Sequence, residues 1–368
     1  METDLKSLEQ AIEGDWIQAN PDTESYLRQV LGKVVRGEGV VLTARQTVRR
    51  DGPSLPGKIL IPTGGTTGKP KHVIHTWKTL SAAAENLKAR IGGPIHSCCI
   101  LPLHHVSGFM QVVRALVTGG KVIFPDPKHL DVNPEDLCLS LVPTQLQRFL
   151  LQPEIVERLQ HFRIIFLGGA AVNSALLSNA RGKSLPLAPC YGMTETAAMV
   201  TLLEPQDFLE GKGCCGPPLS NVQIEIHDGC IRIQSSSLYE GYWPEEMQKP
   251  DKWFETQDSG FLDQNGSLHI TGRLDHVIIT GGEKVDPIEV EAALLKMQDV
   301  EEALVVGVED AEWGQKTVAF VVGETEDLRE KMGSELPSFK KPKAIIQVET
   351  LPLDEYGNVD WAIIQSLI

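Results

Sequence analysis

Short apolar runs alternate with amphipathic segments through the first half of the chain, and this alternation constrains the fold most strongly. The runs with the length and composition of buried strands are KILIP (58–62), SCCILPL (97–103), KVIFP (121–125), LCLSLVP (137–143) and RIIFLGG (163–169). Residues 76–91 and 143–152, which lie between these runs, read as helices. Strands that alternate with helices are typical of βαβ units. The sequence therefore predicts an α/β fold with a mostly parallel sheet.

The pattern changes after about residue 215, where β-structure dominates. Residues 221–235 alternate apolar and polar side chains on either side of Asp228 and Gly229, which predicts a β-hairpin with a tight turn. Residues 266–282 are again β-rich, and residues 287–297 read as a helix. The large domain is therefore expected to have a β-rich end.

The last part of the chain reads as a small α+β domain. After the helix come three more apolar runs, ALVVGVED, KTVAFVVG and KAIIQVE, which are typical of strands. We place the domain boundary so that the large domain covers residues 1–272 and the small C-terminal domain covers residues 273–368.

Composition and charge disfavour several classes of protein. A formal net charge of −15 argues against a large nucleic-acid interface. The first residues lack the apolar centre of a signal peptide, and no apolar run reaches the ~20 residues that span a membrane. The 7 cysteines include no CxxC pair, which disfavours a zinc site. We therefore expect a cytoplasmic protein with reduced thiols, no nucleic-acid partner and no membrane insertion. The sequence leaves open whether it forms a homo-oligomer.

The segment LIPTGGTTGKPKHVIHTW (60–77) concentrates glycines, threonines and lysines after a predicted strand. Glycine allows positive φ and a close backbone approach, while hydroxyl and ammonium groups can bind a polyphosphate. A plain surface turn is the alternative interpretation. The segment matches neither GxxxxGK[ST] nor GxGxxG, so it is not a Walker A loop or a dinucleotide-binding turn. The candidate phosphate ligands are Thr63, Gly64, Gly65, Thr66, Thr67, Gly68, Lys69 and Lys71.

This loop resembles the [ST]SG[ST]TGxPK phosphate loop of adenylate-forming enzymes, a family that includes acyl-CoA ligases and peptide-synthetase adenylation domains. Other segments resemble that family's motifs and follow in its order: LPLHHVSG (101–108), FLGGAA (166–171), YGMTE (191–195), WFETQDSG (253–260) and GRLDHVIITGGEKVDPIEVE (272–291). The resemblance runs from about residue 58 to residue 368. It implies a large adenylation domain followed by a small domain that rotates.

Within this family the chain is most similar to the o-succinylbenzoate–CoA ligases of menaquinone and phylloquinone synthesis. The similarity lies in VIHTWKTL (73–80), HVSGFMQVVR (105–114) and YGMTETAAMVTLLEP (191–205). It implies that ATP and Mg²⁺ activate o-succinylbenzoate as an acyl adenylate, and that CoA then accepts the acyl group. The region before the phosphate loop is short for the family, so the N-terminal part of the large domain is expected to be shortened.

The resemblance also assigns the nucleotide site. It places the nucleotide against small and aromatic residues of two motifs: Gly168, Gly169, Ala170, Tyr191, Gly192 and Met193. Thr194 is expected to donate to the α-phosphate and Glu195 to hold Mg²⁺, which prefers hard oxygen ligands. Asp258 is expected to accept from the ribose hydroxyls, and Arg273 to reach the ribose or a phosphate.

The acid site is expected beside the segment 105–114. His105 stands at the family's acyl-pocket histidine, and Ser107 and Gly192 are expected to line the same pocket. The acid o-succinylbenzoate carries two carboxylates, of which one reacts while the other must be held. Arg114 is the candidate for that second carboxylate because a guanidinium binds a carboxylate bidentately. The alternative is that Arg114 lies on an exposed helix face.

The small domain is expected to contribute to both half-reactions by rotating between them. The resemblance places the hinge at Asp275 and the CoA path at Gly281, Gly282 and Lys284. Two adjacent glycines would let the backbone approach the pantetheine chain closely.

The chain departs from the family pattern at several positions. Gly64 stands where the family has serine, Gln257 where it has glycine, and His72 where glycine is common. LPLDEYGNVDW (351–361) aligns with LPxxxxGKVxR, so Asn358 stands at the lysine that contacts the α-phosphate and the attacking carboxylate. Two alternatives therefore stay open: a CoA ligase for another aryl or short carboxylic acid, and a noncatalytic nucleotide-binding homologue.

Overall fold

A computed structural model describes residues 2–44, 55–63, 71–172, 174–244, 253–274, 277–297, 299–332, 336–353 and 359–368. Its α-helices are α1 (Glu2–Glu13), α2 (Pro21–Val35), α3 (Trp77–Ile91), α4 (Val106–Thr118), α5 (Pro143–Leu150), α6 (Pro153–Leu159), α7 (Ser174–Gly182), α8 (Pro205–Leu209), α9 (Pro287–Leu294), α10 (Leu328–Lys331) and α11 (Trp361–Leu367). No helix in these ranges combines the length and the apolar character needed to cross a bilayer.

The strands of the described ranges are β1 (Ile17–Gln18), β2 (Val40–Val41), β3 (Ile59–Thr63), β4 (Lys71–His75), β5 (His96–Cys98), β6 (Val122–Ile123), β7 (Leu137–Leu141), β8 (Ile164–Leu167), β9 (Leu187–Met193), β10 (Ala198–Leu202), β11 (Val222–His227), β12 (Cys230–Ser235), β13 (Tyr242–Trp243), β14 (Phe254–Leu262), β15 (Leu268–Arg273), β16 (Ile278–Thr280), β17 (Glu283–Val285), β18 (Val300–Asp310), β19 (Gly314–Gly323) and β20 (Ala344–Gln347).

The chain divides into two compact units. The first consists of residues 1–225, 232–255 and 262–269, and the second of residues 226–231, 256–261 and 270–368. The sheet of order β11-β12-β14-β15 contributes residues to both units. The boundary at residues 272 and 273 remains a prediction for where one domain ends and the other begins.

The main sheet of the first unit has the strand order β1-β6-β5-β7-β8-β9-β10. Neighbouring strands are parallel from β1 to β9, and only β10 runs antiparallel, against β9. Every residue of β7 and β8 is buried. This burial explains their continuous apolar runs, because a parallel strand is covered on both faces. The predicted α/β fold with a parallel sheet is confirmed.

A second sheet of the same unit has the order β13-β4-β3-β2. Here β3 and β4 are antiparallel, with Thr63 opposite Lys71. Residues 64–70, which connect the two strands, are too few for the crossover that parallel strands need. The expectation of mostly parallel sheets therefore holds for the main sheet and not for this one.

The predicted hairpin between residues 221 and 235 is also confirmed. It consists of β11 and β12, which are joined by Asp228 and Gly229. Both residues have positive φ, +50° for Asp228 and +80° for Gly229. Two consecutive positive φ values are the requirement of a type I′ turn, and the Asp-Gly pair meets it at low conformational cost.

The second unit also contains a sheet of order β17-β16-β19-β18, with β20 pairing in parallel with β19. Helix α9 begins with Pro287 after the N-cap Asp286, whose side chain accepts a hydrogen bond from the Ile288 amide at 3.0 Å. Its buried residues include Val290 and Leu294, which pack in the core of this unit. The predicted helix and strands of the small α+β domain are present.

Candidate active site

The parallel strands of the main sheet place several predicted segments at one edge. Strands β5, β7, β8 and β9 are parallel neighbours, so their carboxyl ends lie at the same edge of the sheet. Ligands of open α/β sheets bind at this edge. The segment 101–108 follows β5, the segment 168–171 follows β8, and Thr194 follows β9. The fold thus brings together three segments that are far apart in sequence.

Two glycines at this edge are required by close packing. A Cβ atom on Gly168 would lie 3.0 Å from the Cys190 sulfur. A Cβ atom on Gly192 would lie 2.6 Å from the Met199 Cα and would overlap the Ala198 carbonyl oxygen. Gly192 therefore lets β9 pair closely with β10, a structural reason for this glycine beside its predicted role in the acid site. Gly169 and Ala170 are exposed after β8 and can be reached by a ligand.

Thr194 and Glu195 lie on a 3₁₀ turn that runs from Thr194 to Thr196. The buried Thr196 hydroxyl accepts from the Met193 amide at 2.9 Å and lies 2.6 Å from the Ala198 carbonyl oxygen, to which it can donate. These bonds close the turn on both sides. The two residues predicted to meet the α-phosphate and the metal ion therefore sit on a short, internally braced segment.

The carboxylate of Glu195 is held by a tyrosine that the sequence analysis did not identify. The Tyr242 hydroxyl donates to Glu195 Oε1 at 2.8 Å, and the Tyr239 amide donates to the Glu195 carbonyl oxygen at 2.9 Å. Burial and the negative charge of Glu195 raise the pKa of Tyr242, so its hydroxyl stays protonated and remains a donor. The Lys71 ammonium lies 5.6 Å from the centre of the Tyr242 ring. Tyr242 lies in none of the recognised motifs, and its contact with Glu195, 47 residues away, leaves no local signal in the sequence.

The predicted phosphate loop is only partly described. Thr63 and Lys71 face each other at the ends of β3 and β4, so the loop between them closes a hairpin. The other predicted phosphate ligands, Gly64, Gly65, Thr66, Thr67, Gly68 and Lys69, lie outside the described residues. The same strand β4 pairs with β13, which carries Tyr242. The hairpin that bears the loop is therefore tied directly to the residue that holds Glu195.

Helix α4 carries the predicted acid-binding residues. His105 is its N-cap residue, and its ring centre lies 4.2 Å from that of His104. Ser107 is half-buried in the first turn, where its carbonyl oxygen accepts from the Gln111 side chain at 3.1 Å. Gln111 is itself buried, and its Oε1 has no hydrogen-bond partner among the described residues. Gln111 lies within HVSGFMQVVR, but no role was predicted for it from the sequence.

Arg114 is a buried cation and not a residue of an exposed helix face. It is 3% exposed, and its guanidinium carbon lies 5.6 Å from the centre of the Phe166 ring on β8. Burial lowers the pKa of Arg114 to about 10, well below the ordinary value of a guanidinium. Its Nε atom has no hydrogen-bond partner among the residues that the structure describes. Within that part of the chain, no acidic side chain forms an ion pair with its guanidinium.

Two predicted nucleotide ligands lie in the second unit and form an ion pair with each other. Arg273 Nη1 donates to Asp258 Oδ1 at 3.2 Å, and Asp258 is 7% exposed. The Asp258 amide donates to the Thr256 hydroxyl oxygen at 3.1 Å, which fixes the strand around the carboxylate. The structure thus brings these two residues together, while their contacts to ribose or phosphate remain predictions.

The residues predicted for the hinge and the CoA path also belong to the second unit. Gly281 and Gly282 have φ values of +58° and +84° and form the turn between β16 and β17. Lys284 is exposed in β17. Asp275 and Asn358 lie outside the described residues.

The described ranges contain no group of three or more His, Cys, Asp or Glu side chains that could hold a metal ion. A site with several protein ligands is therefore not part of these ranges. A Mg²⁺ ion bound to one carboxylate and to substrate phosphates needs no such group. The half-buried oxygen donors of Glu195 fit that kind of site.

Comparison with known proteins places this geometry in a family. Residues 54–243 match the family described as AMP-binding enzyme, and residues 289–358 match the AMP-binding enzyme C-terminal domain. The chain belongs to the AMP-binding enzyme family. The predicted membership of the adenylate-forming enzymes is thereby confirmed, and the sheet edge described above is the candidate active site of a family member.

Individual members of this family extend the comparison. The chain is 32% identical to the 2-succinylbenzoate–CoA ligase of Enterococcus faecalis over 323 residues, which are 81% of this chain and 67% of the relative. A solved structure of o-succinylbenzoate CoA synthetase from Bacillus subtilis, in complex with the acyl-adenylate intermediate, superposes with a TM-score of 0.69 at 30% identity. That match covers 82% of this chain and 67% of the solved one.

A further structure of the Bacillus subtilis enzyme, in complex with ATP and magnesium, matches with a TM-score of 0.68 at 28% identity. It covers 82% of this chain and 68% of the solved chain. The present chain thus spans about two thirds of the length of these relatives.

Proposed function

We propose that this chain is an ATP-dependent 2-succinylbenzoate–CoA ligase. In the first step a carboxylate oxygen of the acid attacks the α-phosphorus of ATP, and the bond to the bridging oxygen breaks to release pyrophosphate. In the second step the CoA thiolate attacks the acyl carbon of the adenylate, and AMP leaves with the bonding electron pair. The named relatives and the solved neighbours with an acyl adenylate or ATP and magnesium support this reaction.

The single observation that carries the choice of acid is the environment of Arg114. A charge that is 3% exposed is expensive to keep unless an opposite charge or hydrogen bonds compensate it. Among the described residues its Nε atom has no hydrogen-bond partner, and no acidic side chain forms an ion pair with its guanidinium. An acid with two carboxylates supplies the missing charge, because one carboxylate reacts while the other pairs with Arg114. We assign His105 and Ser107, at the start of the same helix, to the wall of the pocket.

The first step is carried by positioning and charge. We assign Thr194 as a hydrogen-bond donor to the α-phosphate, and Lys71 as a cation beside the polyphosphate. Glu195, oriented by Tyr242, would hold Mg²⁺. The metal ion, when bound, offsets the negative charge of the phosphate oxygens. Protein hydrogen bonds already hold the turn from Thr194 to Thr196 and the Glu195 carboxylate, so these groups need little reorganisation when ATP binds.

The residues of the second unit keep their predicted roles in this proposal. Asp258, fixed by Arg273, is assigned to the ribose hydroxyls. Asp275 is assigned as the hinge residue, and Gly281, Gly282 and Lys284 are assigned to the CoA path. A cytoplasmic location belongs to the same proposal, because all 7 cysteines are free thiols and disulfides are rare in the cytosol.

The test is mass detection of two products with a panel of carboxylic acids. We expect o-succinylbenzoyl-AMP when CoA is omitted, and its CoA thioester when CoA is present. Faster turnover of an acid with one carboxylate would contradict the assigned substrate. It would favour a CoA ligase for another aryl or short carboxylic acid.

A second candidate function rests on Asn358, which stands at the position of the family's catalytic lysine. An amide cannot offset the charge that develops at the α-phosphate. A nucleotide-binding protein without ligase activity would bind ATP and form no AMP with any acid. The same assay, combined with ATP binding by calorimetry, distinguishes this candidate from a ligase.

A further inference from the structure

His75 is a buried histidine whose two ring nitrogens both meet protein partners. It is the last residue of β4 and is 0% exposed. Its Nε2 atom lies 2.7 Å from the carbonyl oxygen of Thr194, which is 119 residues away in sequence. Its Nδ1 atom lies 2.9 Å from the Thr79 hydroxyl on α3. The ring therefore connects the strand that leaves the phosphate loop to the turn that carries Thr194.

The partners determine the protonation of the ring. A carbonyl oxygen can only accept, so Nε2 must carry the proton and donate to Thr194. Burial lowers the pKa of His75 to about 4, so the ring is neutral at physiological pH. In a neutral ring with Nε2–H, Nδ1 is an acceptor, and the Thr79 hydroxyl, which also lies 3.0 Å from the Thr76 carbonyl oxygen, is the donor within reach of it. The Thr194 carbonyl oxygen therefore fixes the tautomer of His75, and the position of the Thr79 hydroxyl is compatible with it.

The Thr194 carbonyl oxygen otherwise accepts only the local turn bond from the Ala197 amide, at 3.1 Å, among the bonds that the described residues form. That bond closes the 3₁₀ turn but does not attach it to another element. Glu195 is attached separately through Tyr239 and Tyr242. The bond from His75 thus fixes the backbone of Thr194 against β4.

We propose that His75 is a positioning residue for adenylate formation, which acts by holding the backbone of Thr194 in register with the strand that follows the phosphate loop. This inference rests on the proposed function. In this proposal His75 contributes to the proposed reaction without contacting ATP or the acid. A shift of the Thr194 hydroxyl by about 1 Å can slow a positioned reaction by roughly 10²-fold, so loss of this bond should appear in kcat.

The test compares two substitutions at the same site. His75→Leu removes the donor, whereas His75→Gln places an amide N–H where the Nε2–H was. We expect His75→Leu to lower kcat of adenylate formation by about 10- to 100-fold, with little change in KM for ATP. We expect His75→Gln to stay within about threefold of the unsubstituted chain. The control His96→Leu, at the amino end of β5 and hence at the opposite edge of the sheet, should leave kcat unchanged.

A double-mutant cycle with Thr194→Ala distinguishes positioning from a general effect on folding. In a chain that already carries Thr194→Ala, adding His75→Leu should lower kcat by a further factor of less than about two, because the hydroxyl that His75 positions is already absent. Losses that multiply in the double variant would overturn the proposal. Equal losses in His75→Leu and His75→Gln, or none in His75→Leu, would also overturn it.

Two further measurements do not depend on His75→Leu being folded. Thr79→Val keeps the ring and its bond to Thr194 and removes only the hydroxyl beside Nδ1, so it should give a smaller loss of kcat than His75→Leu. The ¹⁵N chemical shifts of the His75 ring should show the neutral Nε2–H form at pH 7. A neutral Nδ1–H ring or a charged ring would contradict the assignment. If the unsubstituted chain forms no adenylate with any acid, the proposed function fails, whereas the ring measurement still reports on the bond to Thr194.

Discussion

Replacing Arg114 by methionine should have opposite effects on stability and on acid binding. Burial lowers the pKa of Arg114 to about 10, and the difference from the ordinary value of a guanidinium corresponds to about 3 kcal/mol against the charged form in the folded chain. Because the folded pKa is the lower one, this penalty is complete at every pH below about 10 and disappears only as the pH rises through the higher pKa of the unfolded chain. At neutral pH the folded chain without substrate therefore carries the full penalty.

The net gain in stability should be smaller than this penalty. Methionine fills a similar space without a charge, but the contact of the guanidinium with the Phe166 ring is lost, which is worth about 0.5–2 kcal/mol. We therefore expect Arg114→Met to stabilise the first unit by about 1–2 kcal/mol, or a rise of roughly 2–5 °C in melting temperature. Acid binding should weaken by about 1.5–3 kcal/mol, which is a rise in KM for o-succinylbenzoate of roughly 10- to 150-fold.

The matched control is Arg181→Met. Arg181 also lies over a phenylalanine, 4.6 Å from the Phe208 ring, but its guanidinium donates to the carbonyl oxygens of Phe208 and Lys212. Its loss should lower the melting temperature and leave KM for the acid unchanged. A monocarboxylic analogue, 3-benzoylpropionate, should be used equally well by the unsubstituted chain and by Arg114→Met. If Arg114→Met lowers the melting temperature and leaves KM for the acid unchanged, the reasoning is refuted.

Four further outcomes are expected. Tyr242→Phe removes the donor to Glu195, the carboxylate that we propose holds Mg²⁺, and should raise the Mg²⁺ concentration for half-maximal adenylation by about 3- to 10-fold, whereas Tyr26→Phe on α2 should not. Asp275→Pro should leave adenylate formation intact and slow thioester formation, because proline would fix φ at the proposed hinge. Equal losses in both steps would argue against rotation. Asn358→Lys should speed adenylation by about tenfold or more and leave the thioester step from synthetic acyl adenylate unchanged; no response would mean that another cation fills the role. The free energy of unfolding should fall by up to about 3 kcal/mol as the pH falls from 6.5 to 4, because His75 binds a proton in this range in the unfolded chain but not in the folded one. In urea denaturation at different pH values, His75→Gln should make the free energy of unfolding less dependent on pH over this range.

The features of the fold that could be predicted were those with a local physical signal. Buried parallel strands such as β7 are apolar at nearly every position, so they stand out from the amphipathic helices between them. The hairpin at Asp228 and Gly229 was predictable because that pair suits consecutive positive φ values. The pairing of β4 was not recognised, although the short connection to β3 already required an antiparallel hairpin.

The site was predictable where its residues belong to a contiguous motif. Thr194 and Glu195 were identified through YGMTE, and the structure places them on one braced turn. Tyr242 belongs to no recognised motif, and His75 lies in VIHTWKTL but was given no role there. Their contacts with that turn span 47 and 119 residues of sequence. His75 and Tyr242 lie on the paired strands β4 and β13 of one sheet, whereas Thr194 and Glu195 lie on the turn between β9 and β10 of another, so it is the tertiary fold that brings them together. A single sequence carries no direct signal of such contacts.

Buried polar side chains separate into two kinds by their partners, and the two kinds point to different functions. Both nitrogens of His75 meet protein groups, so its hydrogen bonds are complete without a ligand and hold the protein's own backbone. The Arg114 guanidinium lacks an ionic partner among the described residues, so its charge is compensated only when something else brings a negative group. The first kind specifies geometry and the second specifies the charge of the ligand. It follows that removing Arg114 and removing the second carboxylate of the acid both abolish the same ion pair. Their effects on KM should therefore not add.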